Sequence, residues 1–255
     1  MFKKALAALG IGGASVNAVL DSPSVVPGGK LRGRVEIRGG KVAQEIRSID
    51  LAVETDYIQE HDDYKSTHTH ALGRHRIPQA VRVEPNASQT IPFEIDVPWG
   101  APLTLGSQQV WLKTELEVEG ALDPTDRDPL RVEPSPLQAR LLEAMQLLGF
   151  HVRTARCEKS RMGRGVPFVQ EIEMVPSSGP FRGRLDEVDV IAWAGPGSLE
   201  VLLEVDRKAR GLGSLFSEML EMDESRLWVK FSQDDLGLPA SQWAAQLQSA
   251  MERHS

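Results

Sequence analysis

The chain has 255 residues, a formal charge of -7 and 41% hydrophobic residues, which suffices for a folded core and excludes wholesale disorder. The single cysteine, Cys157, excludes an intramolecular disulfide framework and favours a reducing, cytoplasmic location. The acidic balance argues against nucleic acid as a partner, because neutralising phosphates requires clustered Lys and Arg.

The N-terminus combines two lysines with a short apolar stretch. Lys3 and Lys4 precede residues 5–13, which glycines interrupt and which lack a convincing cleavage site for a signal peptide. One interpretation is a helical turn that docks on the body of the protein. The other is a weak contact with a membrane surface, since two charges contribute only ~1 kcal/mol each at an anionic surface. No run of ~18 apolar residues exists, so the sequence predicts no membrane span.

Apolar residues in the first half of the chain recur at every second position. The pattern covers residues 31–37, 49–57, 91–97 and 110–118, with turn residues between the segments. Successive side chains of a strand point to opposite faces, so each segment has one buried and one solvated face. Such strands are typical of antiparallel sheets packed face to face. The absence of long intervening helices disfavours a parallel α/β fold.

The pattern changes near residue 133. After two prolines, apolar residues follow helical spacing, which predicts an amphipathic helix over 136–148 that ends at Gly149.

The second half of the chain returns to the two-residue period. The predicted strands are 168–174, 199–206 and 227–231, and a final helix begins at Ala240 or Ser241. Residues 207–224 form a connection longer than an ordinary hairpin loop, which suggests a covering or binding role.

These elements predict an all-β protein with two β-sandwich domains of similar size. The expected domains are residues 1–133 and 150–255, with a linker helix at 134–149 and a C-terminal helix at the end of the second domain. No short repeat is present, so propellers and solenoids are disfavoured.

Histidines cluster in one stretch, which is interpreted as a hairpin. Its members are His61, His68, His70 and His75. His68 and His70 are two residues apart, so on a strand they share a face and could bind one metal ion, with Asp62 or Asp63 as a further ligand. The alternative is a solvated hairpin tip without a ligand, because Thr and His also suit an exposed strand face.

No catalytic signature is present, and the sequence predicts neither catalytic residues nor a cofactor. The acidic groups are interpreted as surface ion pairs, with acid–base chemistry as the alternative; they comprise Asp62, Asp63, Asp186, Glu187, Asp189, Glu204 and Asp206. Cys157 has basic neighbours that could lower its pKa, yet an inert or half-buried thiol is the simpler interpretation. Residues 161–165 are basic and rich in glycine, and are interpreted as a mobile loop that could bind an acidic partner segment.

Several stretches in the same order together resemble the stage-zero M (SpoOM) family of sporulation-control proteins. They are Met-Phe-Lys-Lys at 1–4 with Leu-Gly-Ile-Gly at 9–12, Gly-Arg-Val-Glu-Ile-Arg-Gly-Gly at 33–40, Phe-Glu-Ile-Asp-Val-Pro at 93–98 with Pro-Leu-Thr at 102–104, Pro-Phe-Arg-Gly at 180–183, and Asp-Arg at 206–207 through Arg-Gly-Leu at 210–212 to Asp-Glu-Ser at 223–225.

The resemblance implies two tandem immunoglobulin-like sandwiches of the arrestin-like fold. It also implies a cytoplasmic, non-catalytic regulator or scaffold that acts through protein–protein interactions. The family supplies no catalytic residues that could be assigned to positions of this chain. Sporulation itself is not implied, since bacteria that never sporulate carry similar proteins.

Two other functions remain open at the level of the sequence. One is a metal- or ligand-binding module built on the hairpin between His61 and His75, and the other is an enzyme of unrecognised class. The expected partner is an unidentified protein, and exposed strand edges together with the final helix make a homodimer plausible.

Overall fold

A computed structural model describes residues 13–61, 64–78, 80–207 and 226–253. The expectations for the N-terminal helical turn, for Asp62 and Asp63, and for all but the first residue of the 207–224 connection therefore lie outside the described residues. Strands dominate the described chain, and the prediction of an all-β protein with a helix after residue 133 and another at the C-terminus is confirmed.

The chain folds as two compact units. The first takes the described residues of Met1–Asp56, Thr69–Ala101 and Gln109–Glu133, and the second takes those of Tyr57–His68, Pro102–Gln108 and Pro134–Ser255. The assignment of domains to 1–133, 134–149 and 150–255 stays a prediction.

Among the described residues, ten strands precede the helix that begins at Pro136. They are β1 (Ser15–Leu20), β2 (Ser24–Val25), β3 (Lys30–Arg38), β4 (Gln44–His61), β5 (Tyr64–Ile77), β6 (Val81–Val83), β7 (Ser88–Asp96), β8 (Val110–Val118), β9 (Thr125–Pro129) and β10 (Arg131–Val132).

The first unit contains two main antiparallel sheets. One has the order β1-β3-β7, and the other pairs β4 with β6 and β8, and β8 with β9. In β3 the side chains of Leu31, Val35 and Ile37 are buried while the intervening ones are not, as the two-residue period predicts. Burying such a side chain contributes about 1.5–3 kcal/mol relative to leaving it in water.

The second unit begins with a helix and continues as a sheet. Its elements are α1 (Pro136–Leu147), β11 (Phe150–Lys159), β12 (Phe168–Pro176), β13 (Leu185–Gly195), β14 (Ser198–Arg207), β15 (Arg226–Ser232), a 3-10 helix (Gln233–Gly237) and α2 (Ala240–Glu252). The strands form an antiparallel meander in the order β11-β12-β13-β14-β15.

Both helices cover the same face of this meander. Helix α1 starts at a capping box, in which Ser135 accepts from the Gln138 backbone and the Gln138 side chain accepts from Ser135 N–H at 3.1 Å. Gly149 follows the helix with a φ of +88°, as expected of a glycine that ends a helix. At the other end of the sheet, Trp243 of α2 stacks on Phe231 of β15 with ring centroids 3.6 Å apart.

The structure contains strands that the period-two pattern did not predict, notably β1, β5, β9, β11 and β13. In β11 a register shift between Val152 and Thr154 interrupts the alternation, and such a bulge hides a strand from a strict two-residue pattern. The stretch from His61 to His70, interpreted as a hairpin tip, lies largely within strands, because β4 extends over 18 residues to His61 and β5 over 14 residues from Tyr64.

In the part of the chain that the structure describes, neither helix is long and apolar enough to cross a membrane.

Candidate functional site

The five strands of the second unit present one face away from α1 and α2. On β12, Ile172 and Met174 are buried on the helix side, so Glu171 and Glu173, which alternate with them, lie on the opposite side. The cross-strand register extends this assignment to the neighbouring strands. We call the resulting surface the outward face; its residues are Thr154, Arg156, Glu158, Val169, Glu171, Glu173, Glu187, Asp189, Ile191, Trp193, Glu200, Leu202, Glu204, Arg226, Trp228 and Lys230.

Two rows of side chains run across the strands of the outward face. The first row contains, in order, Arg156, Glu171, Ile191, Leu202 and Trp228. The second row contains Thr154, Glu173, Asp189, Glu204 and Arg226. Neighbours within a row are directly opposite each other, so their side chains are close enough to interact. The first row combines charged and apolar side chains, and the second is mainly charged.

The last residue of the first row, Trp228, forms an aromatic pair with Trp193 of the neighbouring row. Trp193 and Trp228 stack with ring centroids 5.4 Å apart and planes inclined by 16°. Leu202 is fully buried and, with Val169 and Ile191, forms an apolar cluster against which Trp193 and Met162 pack. Trp228 remains 51% exposed. A large aromatic side chain held rigidly yet open to solvent is typical of a protein-binding surface.

The loop between β11 and β12 holds Trp193 in place. Trp193 Nε1 donates to the Met162 carbonyl oxygen at 3.0 Å, and the Arg164 guanidinium lies 4.6 Å from the centre of the Trp193 ring. Arg164 also donates to Glu200 at 2.6 Å. The basic loop at 161–165 thus contacts groups of its own chain through Arg164, and its interpretation as a binder of acidic partner segments stays a prediction.

Most acidic side chains of the outward face contact a cation. Arg153 pairs with Glu173 and Glu187, and Arg156 pairs with Glu158. The remaining pairs are Glu204 with Arg226 at 2.7 Å, and Glu200 with Arg164 at 2.6 Å and Lys230 at 3.2 Å.

Glu171 and Asp189 are the exceptions. No ion pair or hydrogen bond to either carboxylate is present among the described residues. Burial, reinforced by the Glu158, Asp189 and Glu204 carboxylates, raises the pKa of Glu171 to about 7. Burial together with Glu187 and Glu204 raises the pKa of Asp189 to about 6, although Arg156 partly offsets both shifts. These two carboxylates therefore form no ion pair with a described cation, although the charge of Arg156, directly opposite Glu171, acts on both.

The predicted metal ligands lie elsewhere. His68 is exposed on β5, where its ring stacks on Tyr57 with centroids 5.4 Å apart and Nε2 lies 3.0 Å from Ser66 Oγ. Within the described ranges, no group of three or more His, Cys, Asp or Glu side chains is placed to hold a metal ion. Metal binding by His68 and His70 stays a prediction.

The cysteine is more deeply buried than the sequence indicated. Burial, with a smaller contribution from Glu171, raises the pKa of the Cys157 thiol above its ordinary range. The neighbouring Arg156 points to the opposite face of β11, because side chains alternate along a strand. The full burial of Cys157, which is 1% exposed, excludes the half-buried alternative, and the raised pKa favours an inert thiol.

A small cavity lies under α1 and offers no catalytic grouping. It is lined mostly by apolar side chains, with Gln138 and Gln170 as its polar members. Both amides are occupied by backbone groups, since Gln138 accepts from Ser135 N–H and Gln170 bonds to both backbone groups of Leu103.

Sequence reasoning found parts of the outward face but not its arrangement. Asp189 and Glu204 were identified as members of acidic groups, whereas Glu171 and Trp228 were assigned only to strand patterns. A usable signal exists in β15, where Trp228 occupies a position that alternates with Leu227 and Val229 and is therefore predicted to face solvent.

Comparison with known proteins gives consistent results over nearly the whole chain. Residues 2–209 match the family model described as "SpoOM protein". The chain is 38% identical over 236 residues to "Sporulation-control protein spo0M" of Bacillus subtilis (strain 168), which covers 92% of each protein. The crystal structure of Spo0M from Bacillus subtilis superposes with a TM-score of 0.86 at 34% identity and covers 96% of this chain and 100% of that chain.

Proposed function

Because the chain belongs to the SpoOM family of sporulation-control proteins, we propose that it is a non-catalytic regulator that acts by binding other proteins through the outward face of its second unit. The single observation that carries this proposal is the exposed Trp228 ring, stacked on Trp193 on the same face as two carboxylates that form no ion pair with a described cation. Burial of such a ring by a partner contributes strongly to binding, because tryptophan offers a large contact area at a small cost in side-chain entropy.

The composition and location of the outward face support a binding role over a catalytic one. Its polar groups are spread over five strands of a sheet, whereas catalysis requires polar groups that converge in a pocket. The related protein is described as a sporulation-control protein, which supports regulation as the general role. The arrestin-like assignment and the cytoplasmic location are parts of the same proposal, with at most a weak membrane-surface contact through the N-terminus.

The test is capture of partners with the full-length protein and the Trp228→Ala variant. We expect at least one partner, identified by mass spectrometry and purified, to bind the wild type and to bind Trp228→Ala at least about fivefold more weakly. The matched control is Leu122→Ala, which removes a side chain that is 62% exposed in the first unit. Equal binding to all three proteins would remove the outward face as the docking surface, and failure to find any partner that rebinds in purified form would contradict the proposed function.

Two further expectations remain part of the proposal. A homodimer is expected from the exposed strand edges, and light scattering that shows a strict monomer at high concentration would contradict it.

Metal binding by His68 and His70 is retained as the alternative function. Equal calorimetric heats of Zn²⁺ binding for the wild type and for the His68→Ala, His70→Ala variant would rule out this alternative.

A further inference from the structure

We infer that the outward face binds a basic, extended segment of a partner protein, with Lys or Arg side chains paired to Glu171 and Asp189 and an apolar side chain placed on Trp228. The inference rests on the proposed function and adds the chemistry of the partner to it. It follows from the placement of three groups that come from three different strands.

The two carboxylates lie next to each other on the outward face. Glu171 is directly opposite Ile191, and Asp189 is two positions before Ile191 on the same strand. Diagonal neighbours of this kind are about 7–8 Å apart. Every other described acidic side chain of this face contacts a cation, with Arg153 shared between Glu173 and Glu187, so an incoming positive group would meet Glu171 and Asp189 without displacing an existing ion pair.

The aromatic group lies at a distance that suits a peptide and not a single small cation. Glu171 and Trp228 belong to one row that crosses β12, β13, β14 and β15. Adjacent strands are about 4.8 Å apart, so three strand intervals place the two residues about 14 Å apart. An extended chain advances about 3.3 Å per residue, so a segment needs about four residues to reach from the carboxylates to the ring.

The charge pattern selects the class of partner. Phosphate-rich partners, such as nucleic acids and anionic membranes, would bring further negative charge to two carboxylates whose pKa values are already raised by neighbouring carboxylates. A basic segment has the opposite effect, because its cations stabilise the ionised carboxylates. Trp193, held by its hydrogen bond to Met162, stacks against Trp228 and restricts the Trp228 ring. The loss of side-chain entropy is therefore small when an apolar side chain of the partner packs on Trp228.

The experiment measures the binding of a labelled peptide of about ten residues by fluorescence polarisation. The probe carries two arginines separated by one residue and a leucine about four residues further on, in a Gly/Ser background. The matched probe has glutamates in place of both arginines. We expect the full-length wild type to bind the basic probe with a Kd at least about tenfold lower than that of the matched probe, and the preference should shrink as salt is added.

Variants of the protein assign the effect to the outward face. Glu171→Gln combined with Asp189→Asn keeps the shape of both side chains and should raise the Kd of the basic probe by about tenfold. Trp228→Ala should raise it by about fivefold. The control is Glu143→Gln, which changes an exposed carboxylate on α1, and it should leave the Kd unchanged. The melting temperature of each variant verifies that it is folded.

The failure of this inference can be told apart from the failure of the proposed function. If a natural partner is captured through Trp228 but binds the Glu171→Gln, Asp189→Asn variant as tightly as the wild type, the basic segment is ruled out and the regulatory function stands. Equal affinity for the basic and the acidic probe, or tighter binding of anionic vesicles than of the basic probe, would also overturn the inference.

Discussion

At the scale of single residues, the packing of Trp243 explains how the C-terminal helix is held to the sheet. Its ring is 1% exposed and stacks on Phe231, and Nε1 donates to the Asp235 carbonyl oxygen at 3.0 Å. One side chain therefore joins α2 to both β15 and the 3-10 helix. Removing it would leave a cavity and would remove one of two hydrogen bonds to the Asp235 carbonyl oxygen, which also accepts from Leu238 N–H at 3.0 Å.

We expect Trp243→Ala to lower the free energy of unfolding by about 3–5 kcal/mol, because both apolar burial and the stacked contact are lost. Trp243→Phe retains the aromatic ring and should cost less. The control is Leu147→Ala, whose side chain is 59% exposed on α1, and it should change the free energy by no more than about 0.5 kcal/mol. Urea denaturation measures all three variants, and equal losses for Trp243→Ala and Leu147→Ala would contradict the packing argument.

At the scale of elements, the end of α1 depends on a close approach of two backbone segments. Gly149 has a φ of +88°, and a Cβ atom added there would lie 2.2 Å from the Ser178 carbonyl oxygen. Gly149 carbonyl oxygen also accepts from Ser177 N–H at 3.0 Å. Glycine is therefore required both by the left-handed backbone and by the lack of space.

We expect Gly149→Ala to destabilise the protein by at least about 2 kcal/mol more than Gly120→Ala. The comparison is matched, because Gly120 also has a positive φ, of +68°, but an added Cβ would have no atom within 4 Å. Gly120→Ala should therefore report only the backbone strain, which costs about 1 kcal/mol. Thermal or urea unfolding of both variants measures the difference in the free energy of unfolding. An equal loss for the two variants would contradict the prediction, because it would mean that the Ser178 backbone moves away from the added Cβ atom.

At the scale of the whole molecule, carboxylates with raised pKa values link stability to pH. Burial is the first cause for Glu171, with a pKa of about 7, and for Asp189, with a pKa of about 6. Burial and the neighbouring Asp126 likewise raise the pKa of Asp128 in the first unit to about 6. The folded protein binds more protons than the unfolded chain between about pH 4 and about pH 7, so the free energy of unfolding must fall as the pH rises through this window.

We expect the protein to be more stable at about pH 5.5 than at about pH 8, with each of the three groups contributing on the order of 1 kcal/mol after screening by solvent. The Glu171→Gln, Asp189→Asn variant should lose a large part of this difference, because amides do not titrate in the window. Asp234→Asn serves as the control, since it changes an exposed carboxylate, and should keep the dependence of the wild type. A wild-type protein that is more stable at about pH 8 would contradict the assigned shifts.

Much of the fold could be predicted from local patterns. The segments 31–37, 91–97, 110–118 and 227–231 alternate cleanly and form strands at those positions. Helix α1 was predicted because its apolar spacing, its prolines at the start and Gly149 at the end all agree. The strands that were missed either carry a bulge, as β11 does, or alternate too weakly, as in β9, where no residue is fully buried.

The candidate site was harder to predict than the fold. Asp189 and Glu204 are 15 positions apart in sequence, yet they are directly opposite each other in the sheet. Glu173, which is opposite Asp189, and Arg226, which is opposite Glu204, are also distant from their partners in sequence. No local pattern reports which acidic residues will find a cation and which will not, because pairing depends on the register between strands.

By itself, the sequence determined the all-β class, the two helices and membership of the SpoOM family, because strand and helix periods and the order of family motifs are properties of local segments. Only the tertiary structure decided that Trp228 is supported by Trp193 and that Glu171 and Asp189 adjoin each other without described cations. The physical reason is that register, burial and charge pairing arise between strands that are distant in the chain, and these contacts create both the raised pKa values and the exposed aromatic ring.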